Sequence, residues 1–205
     1  MYLKLLSVLL LVSVSGCGGI KSTEDMLLGM YNVSEAGQID FDSTKYIRMN
    51  NISCSPIMFE LYQDTKTQKK GLVLLKAGVN SIENIGSGES LKFNLNGKYY
   101  QFKSDSDSTH YEDVYFGSVV GKYSYKTYLV PIDFVEAAGE AEELLVRISF
   151  LSGSFVDGRC SPMEKRHLKG VAAENVNESH LATGNLVAGT LGFKEFFRMS
   201  NSTAW

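Results

Sequence analysis

The stretch LKFNLNGKYYQF, residues 91–102, constrains the fold more than any other part of the chain. Two five-residue runs flank Asn96-Gly97. That dipeptide takes the positive φ that both central positions of a type I′ turn require, so it joins two antiparallel strands and fixes their register. Leu91, Phe93 and Leu95 fall on one face of the first run, with Lys92 and Asn94 on the other. This is the pattern of a sheet with one buried and one wet side. The chain must build an antiparallel sheet here and cover its apolar face with another layer.

The same reading extends along the chain. Strands are expected at 46–52 and 57–62, with Pro56 at an edge or junction. Further strands are expected at 71–76 and at 123–130, where Tyr123, Tyr125 and Thr127 share a face. Residues 104–113, SDSDSTHYED, read as a polar loop and 117–121 as a turn. Pro131 opens a helix, where its missing N–H costs nothing. That helix is expected over 132–143, with Phe134, Ala138 and Ala141 on a stripe continuing to Leu145. Strands at 144–151 and 154–156 follow, split by Gly153. Beyond them come a helical turn at 163–169 and a long polar loop over 171–189. A helix at 190–199 carries Phe193, Phe196 and Phe197 on one stripe, with Thr190 as its cap. These elements predict an α+β fold: a mainly antiparallel sheet with two or three packed helices, in a single domain over 39–205.

The N-terminus points to where the protein works. Residues 1–16, MYLKLLSVLLLVSVSG, place Lys4 before an apolar run of about ten residues, the layout of an export signal. A spanning helix needs about 20 apolar residues, and this run stops short of that. Val14-Ser15-Gly16-Cys17 resembles the lipobox of bacterial lipoproteins, an aliphatic residue and two small residues before a cysteine. The resemblance covers residues 1–17. It implies that the signal peptide is cut before Cys17 and that the Cys17 thiol carries a diacylglyceryl group, often with a further acyl chain on the new amino group. One acyl chain holds a protein to a membrane weakly, whereas two or three hold it durably. Gly18 stands where Asp would retain a Gram-negative lipoprotein at the inner membrane, so the resemblance points to the outer membrane. Residues 17–38 are then a lipidated tether, in which Ser22 or Thr23 caps a short helix through Met26, Leu27 and Leu28. The rival is an ordinary secreted protein, for which the sequons at Asn32, Asn51, Asn177 and Asn201 would be glycosylation acceptors.

The remaining observations narrow the function. The net charge is −3, and loss of Lys4 with the signal peptide makes the side chains more acidic still. Without a basic surplus, nucleic acid is not an expected partner. Cys54 and Cys160 lie in an exported chain, where two cysteines pair or stay buried. A Cys54–Cys160 disulfide is the expectation, closing a loop of about 107 residues. Asp105, Asp107, Glu112 and Asp113 supply oxygens that suit Ca²⁺, but His110 replaces the glycine of an EF-hand and Phe116 its closing Glu, so a solvated turn is the preferred reading. No metal or cofactor is expected. His110, His167 and His180 fall in no zinc-protease motif. A Cys160/His167 or Cys160/His180 nucleophile pair is conceivable but secondary to the disulfide. Tyr99, Tyr100, Tyr111, Tyr115, Tyr123, Tyr125 and Tyr128 crowd one segment, either as a contact face or as ordinary sheet packing. The leading expectation is a membrane-anchored envelope module that binds or assembles with an envelope protein without catalysis. The alternative is an envelope hydrolase whose residues converge only in three dimensions.

Overall fold

The computed structural model describes residues 34–66, 71–116, 119–160 and 187–202. In chain order these form β1 (Ser34–Ile39), β2 (Thr44–Cys54), β3 (Ile57–Asp64), β4 (Leu72–Val79), β5 (Leu91–Leu95), β6 (Lys98–Phe102), β7 (His110–Phe116), β8 (Val119–Pro131), α1 (Ile132–Gly139), β9 (Leu144–Ser149), β10 (Phe155–Arg159), β11 (Val187–Ala188) and α2 (Gly189–Ser202). The fold is α+β and mostly antiparallel. The larger sheet runs β1-β2-β3-β4-β8-β7, and the smaller one β10-β9-β5-β6. β11 adds a short parallel pair to the far half of β2, opposite Ile52 and Ser53, past the stretch that β1 covers. The changeover coincides with a bulge in β2: its register against β3 shifts between Met49 and Ile52, and Asn51 takes φ 58°.

Period-2 alternation sets the two faces of each strand. Ile57, Phe59 and Leu61 of β3 and Val73, Leu75 and Ala77 of β4 point inward and are buried. They meet Leu91, Phe93 and Leu95 of β5 and Val146 and Ile148 of β9 in one buried cluster. Phe93 is its hub. Its ring centroid lies 5.6 Å from Phe59 across the two sheets and 4.9 Å from Phe134 of α1, while Phe193 of α2 sits 5.9 Å from Phe59. Each such ring contributes about 1.5–3 kcal/mol by leaving water. Both helices therefore pack on the core side of the larger sheet.

Two polar devices close this core. The first is the Cys54–Cys160 disulfide, which joins the end of β2 in the larger sheet to the residue after β10 in the smaller one. It is a staple between sheets, and the adjoining backbone ties α2 to it through Thr190 N–H donating to the Cys160 carbonyl at 3.1 Å. The second is Lys126, fully buried on the inward face of β8. Its ammonium donates to the carbonyls of Gly86 (3.1 Å) and Asp107 (2.7 Å), pinning two loops to the sheet. Burial pulls its pKa below the usual lysine value. Beside it, the buried Tyr128 hydroxyl pairs with Ser90 Oγ at 2.9 Å.

Several expectations change. Residues 110–113 are not loop but the start of β7, an edge strand paired to β8. Residues 119–121, read as part of a turn, belong to β8. Residues 34–38, assigned to the tether, form β1, because β2 offers them a full antiparallel partner. The helix after Pro131 stops at Gly139, before the expected 143, and β9 ends at Ser149, before 151. Thr190 lies inside α2 and does not cap it, and residues 187–188 at the end of the expected long loop form β11. The Asn96-Gly97 hairpin forms with Leu95 opposite Lys98 and φ of 49° and 90° at the two turn residues. Cys17, the helical turn at 163–169, His167 and His180 lie outside the described residues.

Candidate functional site

The outward face of the larger sheet carries side chains with a common design. Glu35 (β1) stands opposite Arg48 (β2) in register. Arg48 reaches Glu60 of β3 at 3.2 Å, and Lys76 of β4 reaches Glu60 at 3.2 Å and Glu112 of β7 at 2.8 Å. The result is a ladder of alternating sign, Glu35, Arg48, Glu60, Lys76, Glu112, drawn from five strands. Alternation follows from strand pairing, since like charges opposite one another would repel and unlike ones add stability.

Tyrosines fill the spaces between the charges. Tyr123 and Tyr125, two residues apart on β8, stack with centroids 5.7 Å apart and planes within 19°. They lie across Gly78 of β4, whose added Cβ would come within 2.8 Å of both side chains, so only glycine leaves room for the rings. The Lys76 ammonium sits over the Tyr125 ring, 4.1 Å from its centroid, and that side chain is 16% exposed. His110 stacks on Tyr125 itself, with ring centroids 5.4 Å apart. At the opposite end, Tyr46 and Tyr62 form a second pair, 6.2 Å apart and within 22° of parallel.

The tyrosine hydroxyls are committed to acceptors. Tyr46 donates to Glu35, Tyr62 to Asp64, Tyr125 to Glu112 and Tyr123 to the Met58 carbonyl. Burial first, then the Asp64 carboxylate, pushes Tyr62 up to about 12, and burial with the Glu112 bond does the same for Tyr125. Tyr123 is raised further by burial and by the Glu60 and Glu112 charges. For Tyr46 the hydrogen bond to Glu35 is the main cause of a raised value. These phenols stay protonated donors near neutral pH. Burial alone would raise the Glu112 carboxyl, but hydrogen bonds from Lys76 and Tyr125 and the Lys76 charge outweigh it and hold Glu112 below its ordinary value. Between Tyr46, Tyr62, Leu74 and Thr127 the face hollows into an open groove of about 540 Å³.

The residues singled out in the sequence are dispersed. Of the tyrosine-rich segment, Tyr123 and Tyr125 reach this face, Tyr128 is core, Tyr100 packs on Phe134, and Tyr99 is exposed on the smaller sheet. Tyr111 bonds Asn84. Tyr46 and Tyr62, not singled out in the sequence, complete the face, because β2 and β3 join the same sheet as β8 only after folding. The acidic group does not converge. Asp105 accepts from Thr127, Glu112 pairs with Lys76 and Asp113 with Lys122. Among the described residues no group of three His, Cys, Asp or Glu side chains comes together. Cys160 is disulfide-bonded and so is not a nucleophile for His167 or His180. Comparison with protein-family models, curated proteins and solved structures gives no match.

Proposed function

We propose that the chain is a lipid-anchored protein of the bacterial envelope, tethered through Cys17, whose single domain is a non-catalytic binding or assembly module. The reading favours the outer membrane and an envelope partner rather than nucleic acid. The lipobox and the acidic net charge support it. The observation that carries it is the outward face of the larger sheet, where four tyrosines and the five-strand charge ladder share one surface while both helices pack on the other side. A surface whose hydroxyls and charges are already held in place loses little side-chain freedom on binding, which favours recognition.

The test is a photo-crosslinking residue placed at Thr127 on this face, in the native host. The same probe at Gln101, exposed on the outward side of the smaller sheet, is the comparison. A defined adduct from position 127 that disappears in Tyr62→Ala is the expected result. No adduct at 127, or equal adducts at both positions, contradicts it.

A further inference from the structure

Resting on that binding reading, we infer that the groove bounded by Tyr46, Tyr62 and Thr127 binds a chain of neutral sugar rings. Its floor is aromatic and aliphatic. Tyr46 and Tyr62 are half-buried, near-parallel rings, and Leu74 lies beside Tyr62 in register on β4. Tyrosine offers a large rigid face with a polar tip, and the electron-rich ring face suits the C–H-bearing face of a pyranose ring.

The rim supplies both halves of a hydroxyl's hydrogen bonding. Arg48 is a planar donor, held by Asn50 Oδ1 at 2.6 Å and by Glu60. Glu35 and Glu60 are planar acceptors with lone pairs beyond those already engaged. A sugar hydroxyl both donates and accepts, so adjacent hydroxyls match such alternating groups.

Charge separates this ligand from its competitors. Along Glu35, Arg48, Glu60 and Lys76 the sign reverses at every step, so a phosphate or a polycation meets repulsion beside each attraction. An apolar protein surface laid over the ladder would strip water from four charges without replacing its hydrogen bonds, which is costly. A polyol replaces that water with hydroxyls. The groove is open and lies across several strands, as a chain ligand requires.

The test uses the full chain in detergent micelles, titrated by calorimetry with the β-linked hexasaccharides of glucose and of N-acetylglucosamine. Saturable binding is expected to at least one hexasaccharide. It should weaken by about tenfold or more in Tyr46→Ala and Tyr62→Ala. Tyr99→Ala, on the other sheet, should retain it. If an alanine variant does not fold, Leu74→Arg at a half-buried groove position is read in its place, with the same loss expected. Absence of binding to both hexasaccharides, or binding indifferent to Tyr46, Tyr62 and Leu74, overturns the inference. A Tyr62-dependent adduct at position 127 without saccharide binding overturns the sugar ligand alone, while loss of both results overturns the contact surface as well.

Discussion

The Lys76 ammonium lies 2.8 Å from Glu112 Oε2, although 36 residues separate them and β8 runs between their strands. Lys76 spans β8 by lying over the Tyr125 ring, and it holds Glu60 on its other side. One side chain thus links β3, β4, β8 and β7 on the outward face. Lys76→Met leaves the half-buried Glu60 and the exposed Glu112 without their shared cation. A loss of about 1 kcal/mol is expected, measured as a lowered urea midpoint. In the same variant the Glu112 carboxyl should titrate higher than in the wild type by NMR, since the Lys76 hydrogen bond and charge that help hold it down are gone.

Gly78 makes the Tyr123–Tyr125 stack possible. A methyl group there would press on the Tyr123 ring, the Tyr125 Cβ and the Ser124 carbonyl at once, and the carbonyl belongs to the paired backbone of β8. Gly78→Ala should destabilise by about 1–3 kcal/mol through overpacking. It should also change the near-ultraviolet circular dichroism of the tyrosines.

Asp42 sets an acid-side limit. Its carboxylate accepts from the Thr44 N–H at 3.1 Å and pairs with Lys66 at 2.7 Å, joining the β1–β2 turn to the end of β3. The Lys66 bond, then Thr44, lowers its pKa from 3.8 to about 2. A depressed folded value means that the stabilisation is complete above the unfolded value of 3.8 and fades as pH falls through that value toward about 2. Asp42→Asn should therefore be less stable than the wild type at pH 6, with the gap closing toward pH 2 in urea titrations.

The disulfide joins residues 106 apart in sequence and links the two sheets. Constraining so long a loop in the unfolded chain contributes about 4–5 kcal/mol in the chain-entropy account. Cys54→Ser with Cys160→Ser should lower the denaturant midpoint by a corresponding amount, and reduction of the wild type should reproduce the loss.

Local chemistry was the part of the fold legible in the sequence. Asn96-Gly97 placed a hairpin with its register, and Pro131 marked the start of α1. Tyr123, Tyr125 and Thr127 were assigned correctly to one face of β8, which places Lys126 on the other. That this other face is the core is a tertiary fact, settled by the carbonyls of Gly86 and Asp107 that receive the ammonium. β7 escaped because its described side chains are polar on both sides, as an edge strand's can be, and only pairing with β8 marks it as a strand. The site was half legible. Tyr123 and Tyr125 stood out, but Tyr46 and Tyr62 belong to strands far back in the chain. The charge ladder has no sequence spacing, since its members share only a height on the sheet.

The measurement that bears most directly on the proposed envelope module is the mass of its N-terminal peptide, taken from the native membrane fraction with and without globomycin, an inhibitor of the lipoprotein signal peptidase. A peptide that begins at an acylated Cys17 and is lost when the peptidase is blocked is the expected result. A peptide that begins elsewhere, or at an unmodified Cys17 and indifferent to the inhibitor, would contradict it.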